Sequence, residues 1–268
     1  MKVRLSLLVC LLSLAGFATV HNVSVGSNFF NPSSLTITQG DTVIWTNTSG
    51  SHNVNGTTST FSGNPESFGN SVGTGWTFQH VFGKVGNYSY QCDPHAPGMS
   101  GSITVNPLPA VTAPVTQSFE GGGSWTYVNN PASYNVSGDV WGTVTSLSSI
   151  TPSSGANFWG MQDLENPNGG GAFGHTLDFA AVDVSGLPNA HLMFDYYTIG
   201  FDSSDSLAYV VEFDNGSTWG PLTELNKDSQ AWTTVDIAVP SSATHVRVRI
   251  YAKQNGGSDY AGVDNFRV

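Results

Sequence analysis

Cysteine is almost missing from this chain: Cys10 and Cys92 are the only two in 268 residues. Charge is sparse as well, at 10% of residues, and eight Lys and Arg face nineteen Asp and Glu for a net charge of −11. So few bases in an acidic chain argue against nucleic acid or an anionic membrane as a partner. Long apolar runs are lacking. The longest, Leu5 to Leu14, falls well short of the ~20 residues that span a bilayer as a helix, so no transmembrane segment is expected. No stretch carries helical periodicity, and no His-X-His pair, Met-rich tract or His-rich tract occurs.

What is abundant is turn chemistry and aromatic residues. Thirty-one glycines, thirteen prolines and 12% aromatics describe short strands joined by many turns, an all-β protein. The length favours two domains.

Residues 1–18 read as a signal peptide: Lys2 and Arg4, then the apolar run, then small residues ending at Ala18. Export to the periplasm, the extracellular space or the cell surface follows from that reading. A lipoprotein anchor would use Cys10, but Cys10 sits inside the apolar run behind Val9. Cleavage leaves Cys92 as the sole thiol in an oxidising compartment. Such a thiol is expected to be a metal ligand or a nucleophile.

The stretch NPLPAVTAPVTQS carries three prolines and no apolar alternation, so residues 107–117 read as an extended linker. It separates residues 19–106 from residues 118–268. Charge changes across it. The first part holds Asp41, Glu66 and Asp93 against Lys84, whereas the second holds sixteen acids against Lys227, Arg247, Arg249, Lys253 and Arg267. In the first part the strand signals are Val23 with Val25, Leu35 with Ile37, Val43 with Trp45, Trp76 to Phe82, Tyr88 to Cys92, and Ile103 with Val105. Six or seven strands in so short a span point to a β-sandwich. In the second part Leu207, Tyr209, Val211 and Phe213 alternate before a turn at Asn215-Gly216, and Val246, Val248 and Ile250 alternate with Arg247 and Arg249.

The informative stretch is Tyr90-Gln-Cys92-Asp-Pro-His95-Ala-Pro-Gly-Met99. A thiolate, an imidazole and a thioether on one loop need one more imidazole to complete a His2Cys set with a weak axial Met, an arrangement that suits copper. His52, in Thr48-Ser-Gly-Ser-His52-Asn53-Val54, is the candidate. A cysteine hydrolase would leave Met99 and the His52 motif unexplained. A binuclear copper centre lacks its second cysteine, and a multicopper oxidase lacks its His-X-His pairs. His80 reads as a strand residue, while His21, His175, His191 and His245 stand apart from one another.

Residues 21–105 resemble the plastocyanin, pseudoazurin and amicyanin branch of the cupredoxins. The resemblance runs through Phe30-Asn-Pro32, Gly40-Asp-Thr-Val-Ile-Trp45, His52-Asn53, Gly86-Asn-Tyr88-Ser-Tyr90, the Cys92 loop and Gly101-Ser-Ile-Thr-Val105. It implies a Greek-key β-sandwich and one type 1 copper held by His52, Cys92 and His95, with Met99 axial. By the same resemblance Asn53 ties the His52 segment to the Cys92 loop. His95 then presents its edge to a redox protein partner among Pro94, Ala96, Pro97 and Gly98. The spacing from His95 to Met99 varies between branches of that family.

The second part resembles jelly-roll domains of the carbohydrate-binding and MAM type. The likeness lies in Ser118-Phe-Glu120-Gly-Gly, Trp125, Phe158-Trp-Gly-Met-Gln-Asp163 and Gly262-Val-Asp264-Asn-Phe266. It implies a structural Ca²⁺ shared by Glu120 and Asp264, with Asp163 as a further candidate. It also implies a polysaccharide or surface glycan as ligand, with Trp159, Trp219 and Trp232 as candidate aromatics. Ordinary turn, edge and core roles explain the same residues. The expectation is an exported blue copper electron carrier, not an enzyme, with a C-terminal binding or anchoring module. Two alternatives use the same ligands: a copper store or chaperone, and an adhesive or carbohydrate-binding protein with an accessory copper domain.

Overall fold

The computed structural model describes residues 19–165, 174–213 and 219–268. The signal-peptide reading, Cys10 included, and the Asn215-Gly216 turn lie outside the described residues.

Seven strands make up residues 20–106. Val20–Gly26 pairs antiparallel with Phe29–Asn31 and parallel with Thr42–Asn47, which pairs antiparallel with Thr77–Val81. A second sheet sets Ser34–Thr38 parallel to Ser100–Asn106, and Gly86–Gln91 antiparallel to it. The alternation read from the sequence decides which side chains turn inward: Val23, Val25, Ile37, Val43, Trp45, Tyr88, Tyr90, Ile103 and Val105 are all buried. Trp45 is the centre of this core. Its ring stacks on Phe68 at 5.7 Å and Phe78 at 5.5 Å and meets Tyr90 edge-on at 5.6 Å. Every buried member of the core lies between Val23 and Val105.

The described residues beyond Asn106 form two further sheets. One runs Tyr134–Val136, Asp139–Val144, Phe158–Gln162, Tyr260–Arg267, His191–Ile199 and Thr233–Ala238 in spatial order. The other is built around His245–Lys253, which pairs with Ser206–Phe213, His175–Phe179 and Val182–Asp183. Both sheets send side chains into one core, among them Trp125, Trp159, Phe179, Phe194, Val248, Ile250, Val263 and Phe266. The protein is therefore all-β, with two sandwiches.

The proline-rich segment is not a free linker. Val111–Thr112 pairs parallel with Val182–Asp183, and Thr116–Gln117 pairs antiparallel with Phe266 and Arg267. Val115 and Val268 exchange backbone hydrogen bonds of 3.1 Å in each direction. The prolines mask these strands because they interrupt alternation without occupying the paired positions. The sandwiches also touch. Gln39 Nε2 donates to Gly83 O and to Asp178 Oδ2, both at 2.8 Å. Gly40, at φ +93°, leaves the space that Val128 fills: a Cβ there would lie 2.2 Å from Val128 Cγ1.

Candidate metal centre

His52 sits in irregular chain after the strand Thr42–Asn47, and its surroundings fix it from several directions. Its backbone exchanges hydrogen bonds with Gly73 at 2.9 and 3.0 Å, and the Trp76 indole donates to its carbonyl at 2.9 Å. Asn47 Nδ2 closes the intervening turn by donating to Gly50 O at 3.1 Å and Gly73 O at 3.2 Å. Gly50, at φ +82°, lies over the imidazole, where a Cβ would come within 2.6 Å of His52 Nε2. Burial pulls the His52 pKa below its ordinary value and His95 adds to this, while a hydrogen bond to the Ser49 backbone opposes it. The neutral imidazole so favoured is the form that ligates a metal.

Cys92, His95 and Met99 leave the strand Gly86–Gln91 on one loop that returns as Ser100–Asn106. The short 3₁₀ turn Asp93–His95 starts with Pro94 near its head, where a missing N–H costs nothing. Three backbone bonds tie the loop to itself: His95 N to Cys92 O at 3.1 Å, Met99 N to His95 O at 3.0 Å, and Cys92 N to Met99 O at 3.0 Å. Cys92 and Met99 are buried, His95 is half-buried, and Pro94, Ala96, Pro97 and Gly98 are exposed around it.

Cys92 Sγ lies 3.5 Å from His52 Nδ1 and 3.4 Å from His95 Nδ1. The two imidazole rings stand 4.8 Å apart, and all three donor atoms lie within 4.8 Å of one another. Among the described residues this is the group of His, Cys and carboxylate side chains gathered closely enough to hold one metal ion. Two borderline nitrogens and a soft sulfur, with the buried Met99 on the same loop, fit copper in either oxidation state. Both imidazoles turn Nδ1 to one buried sulfur, whereas a nucleophile needs one base and an open approach for substrate.

Residues 18–106 match the family model for copper binding proteins of the plastocyanin/azurin family. They form a cupredoxin domain. Solved structures similar to this part include the reduced state of a proline-to-phenylalanine amicyanin mutant, at 26% identity and TM-score 0.28, covering 33% of this chain and 82% of that one. Another is a Cu(I) form of a methionine-to-alanine amicyanin mutant, at 26% identity and TM-score 0.28, covering 35% of this chain and 86% of that one.

The cupredoxin domain binds its two ligand segments together through Asn53 and Asp93. The Asp93 amide donates to Asn53 Oδ1 at 2.8 Å, and Asn53 Nδ2 donates to Asp93 Oδ2 at 2.8 Å. Asn55 Nδ2 donates to the other carboxylate oxygen at 2.7 Å, and the backbones of Asn55 and Gln91 exchange bonds of 2.9 and 3.0 Å. The Asn55 amide first, then those of Asn53 and Gln91, hold the Asp93 carboxyl below the ordinary carboxylate range, against the effect of burial. These bonds hold the two ligand loops in place relative to each other. Asn53 was legible by resemblance; Asn55, Trp76 and Asp93 were not, since they bear no metal-type spacing.

The other sequence candidates fall elsewhere. His80 lies in the strand Thr77–Val81, 3.3 Å from Glu66 Oε1, and His21, His175, His191 and His245 do not gather with it. Glu120 and Asp264 both hold the segment 154–157. Glu120 Oε1 accepts the amides of Ala156 and Asn157 at 2.7 Å, and Oε2 accepts Asn157 Nδ2 at 2.8 Å. Asp264, fully buried, accepts Ser154 N at 2.9 Å and Asn265 N at 2.6 Å. Trp159 is a core residue at 2% exposure. Trp219 is covered by the guanidinium groups of Arg247 and Arg249, 4.4 and 4.7 Å from its ring, and Trp232 packs edge-on against Phe158 and Tyr197. No helix of the described residues is long and apolar enough to cross a membrane.

Proposed function

We propose that the protein is an exported carrier of single electrons, using a type 1 copper that His52, Cys92, His95 and Met99 would hold. The observation that carries this reading is the convergence of both histidine Nδ1 atoms on Cys92 Sγ, within a domain of a copper-binding family. Copper bound there supplies a one-electron couple. The chain supplies a donor set fixed by the Gly73, Trp76 and Asn53 hydrogen bonds, so the ligands have little to rearrange between oxidation states. A buried Cys92 excludes water from the thiolate. The half-buried His95, framed by small apolar residues, is the edge through which a redox protein partner would couple. Residues 19–106 are then the redox domain and residues 118–268 a binding or anchoring module.

The test is optical. The mature protein with one equivalent of Cu(II) should be intensely blue, because thiolate-to-Cu(II) charge transfer needs the Cys92 bond. Cys92→Ser should abolish the colour, and Met99→Gln should keep copper while lowering the reduction potential, since a harder axial oxygen favours Cu(II). A colourless one-to-one copper complex under oxidising conditions would overturn the reading.

A further inference from the structure

Thr19 is held on both sides of its backbone. Its carbonyl accepts the Thr42 amide at 2.9 Å, at the start of the parallel pairing of Val20–Gly26 with Thr42–Asn47, and its nitrogen donates to Asp41 Oδ1 at 2.7 Å. The other oxygen of that carboxylate accepts the Thr38 amide at 2.9 Å and lies 2.9 Å from His21 Nε2. The backbone of Asp41 is fixed as well, its amide donating to Thr38 O at 2.9 Å and its carbonyl accepting Phe82 N at 3.0 Å.

Asp41 is only 6% exposed, and it lacks a permanent cation. His21 is its ion-pair partner among the described residues, and the one Lys or Arg in residues 19–106 is the exposed Lys84. A carboxylate taken out of water is costly unless it is paired with a charge as well as hydrogen-bonded. A charged donor at Oδ1 would meet that need better than a neutral amide, because charge-assisted hydrogen bonds are roughly twice as strong as neutral ones.

The nitrogen at Oδ1 belongs to the residue that follows the expected cleavage point. Gly16-Phe-Ala18 sets small residues third and first before Thr19, as a signal peptidase site does. Hydrolysis of the bond from Ala18 to Thr19 adds one water, leaves a carboxylate on Ala18 and turns the Thr19 amide nitrogen into an α-amine. An ordinary α-amine has a pKa of about 7.7–8.0, so this one takes up a proton at neutral pH.

We propose that a signal peptidase cuts between Ala18 and Thr19, and that the Thr19 α-ammonium so formed pairs with Asp41, whose buried carboxylate is the acceptor for the mature N-terminus. This rests on the export reading and adds that processing completes the fold. Before the cut Oδ1 holds a neutral amide; after it the same oxygen holds a cation at the head of the strand Val20–Gly26. The cupredoxin domain therefore becomes more stable once residues 1–18 are removed.

The chain would be expressed with residues 1–18 in a secreting host and the N-terminus of the exported protein sequenced. Three forms ending at Val268 would also be melted side by side at neutral pH and low salt: one starting at a free Thr19, one at an N-acetylated Thr19, and one at Ala18. Acetylation keeps the N–H donor and removes the charge, while the Ala18 form keeps the charge and moves it one residue away. The expected results are Thr19 as the first exported residue, and unfolding of the cupredoxin domain at a higher temperature with free Thr19 than in either other form. In Asp41→Asn that advantage should vanish. Failure of the free Thr19 form to melt above both others would overturn the ion pair, as would an advantage that survives in Asp41→Asn. Should that variant not fold, the three parent forms decide alone. An exported chain cut elsewhere would overturn the proposal and leave export standing. An uncut chain kept inside the host would overturn the export reading and the cut together, with the melting comparison still deciding whether Asp41 holds a Thr19 ammonium.

Discussion

Asn53 and Asp93 grip each other from both sides, with the Asp93 amide donating to the Asn53 carbonyl oxygen and the Asn53 amide donating to the Asp93 carboxylate, each at 2.8 Å. One residue follows a histidine of the metal centre and the other follows its cysteine. The pair therefore joins two ligand segments that lie forty residues apart in the chain.

Replacing Asn53 with Ala should leave the ligands in place and loosen their frame. A backbone donor and a carboxylate oxygen lose their partner, a cost of about 1–3 kcal/mol. Melting of the cupredoxin domain should fall accordingly, and a chelator should strip copper faster than from the parent. An unchanged stripping rate would mean that Asn55 and the backbone bridge to Gln91 hold the loops alone.

A chain ending at Asn106 should fold and bind copper. Its core is complete between Val23 and Val105, and across the join it loses the Gln39 bond to Asp178 and the Val128 contact at Gly40. The check is circular dichroism together with the visible spectrum of the copper form. Loss of cooperative melting would show that the second sandwich completes the first.

Arg249 pairs with the buried Asp178, whose carboxyl burial raises and Arg249 lowers. Arg249→Leu would strand that carboxylate and should destabilise the second sandwich by about 3–5 kcal/mol, measured by urea denaturation. The double change with Asp178→Leu should recover most of the loss. Failure to recover would assign the effect to the Arg249 contact with Trp219 instead.

Acid should weaken the second sandwich through His175. Burial lowers its pKa to about 4, and its Nε2 lies 2.8 Å from the Tyr134 hydroxyl. The unfolded chain takes up this proton near pH 6.5 and the folded chain does not. The stabilisation is therefore whole above pH 6.5 and lost as pH falls toward 4, by up to ~3 kcal/mol. Asp264, pushed up to about 6 chiefly by burial, works in the opposite sense over part of that window. The measurement is thus the difference between the parent and His175→Gln across pH 4 to 7. Parallel stability profiles would rule His175 out.

The candidate metal centre was legible because its chemistry is local: Cys92, His95 and Met99 share one loop, and His52 stands beside an Asn in a recognisable pattern. Inward residues such as Val43 and Trp45 were legible because strands alternate with a period of two. The frame around the ligands, Asn53 apart, was not. Trp76 and Gly73 support His52 across irregular chain, where no period links partner to partner. The strands at Val111–Thr112 and Thr116–Gln117 were hidden for a different reason, being two residues long and set among prolines. Trp159 was ambiguous in sequence because an indole serves a core as readily as a sugar-facing surface. Its neighbours, contributed by other strands, decide the matter.

The exchange of bonds between Val115 and Val268, beside the antiparallel pairing of Thr116 and Gln117 with Phe266 and Arg267, has a mechanical meaning. Tension applied between the cupredoxin domain and residue 268, once past the pairing of Val111–Thr112 with Val182–Asp183, arrives at two strand ends that lie side by side. It opens their hydrogen bonds one after another, as a zipper opens, and never loads the whole ladder in shear. The second sandwich would thus yield from that seam at low force, while the cupredoxin core stays folded.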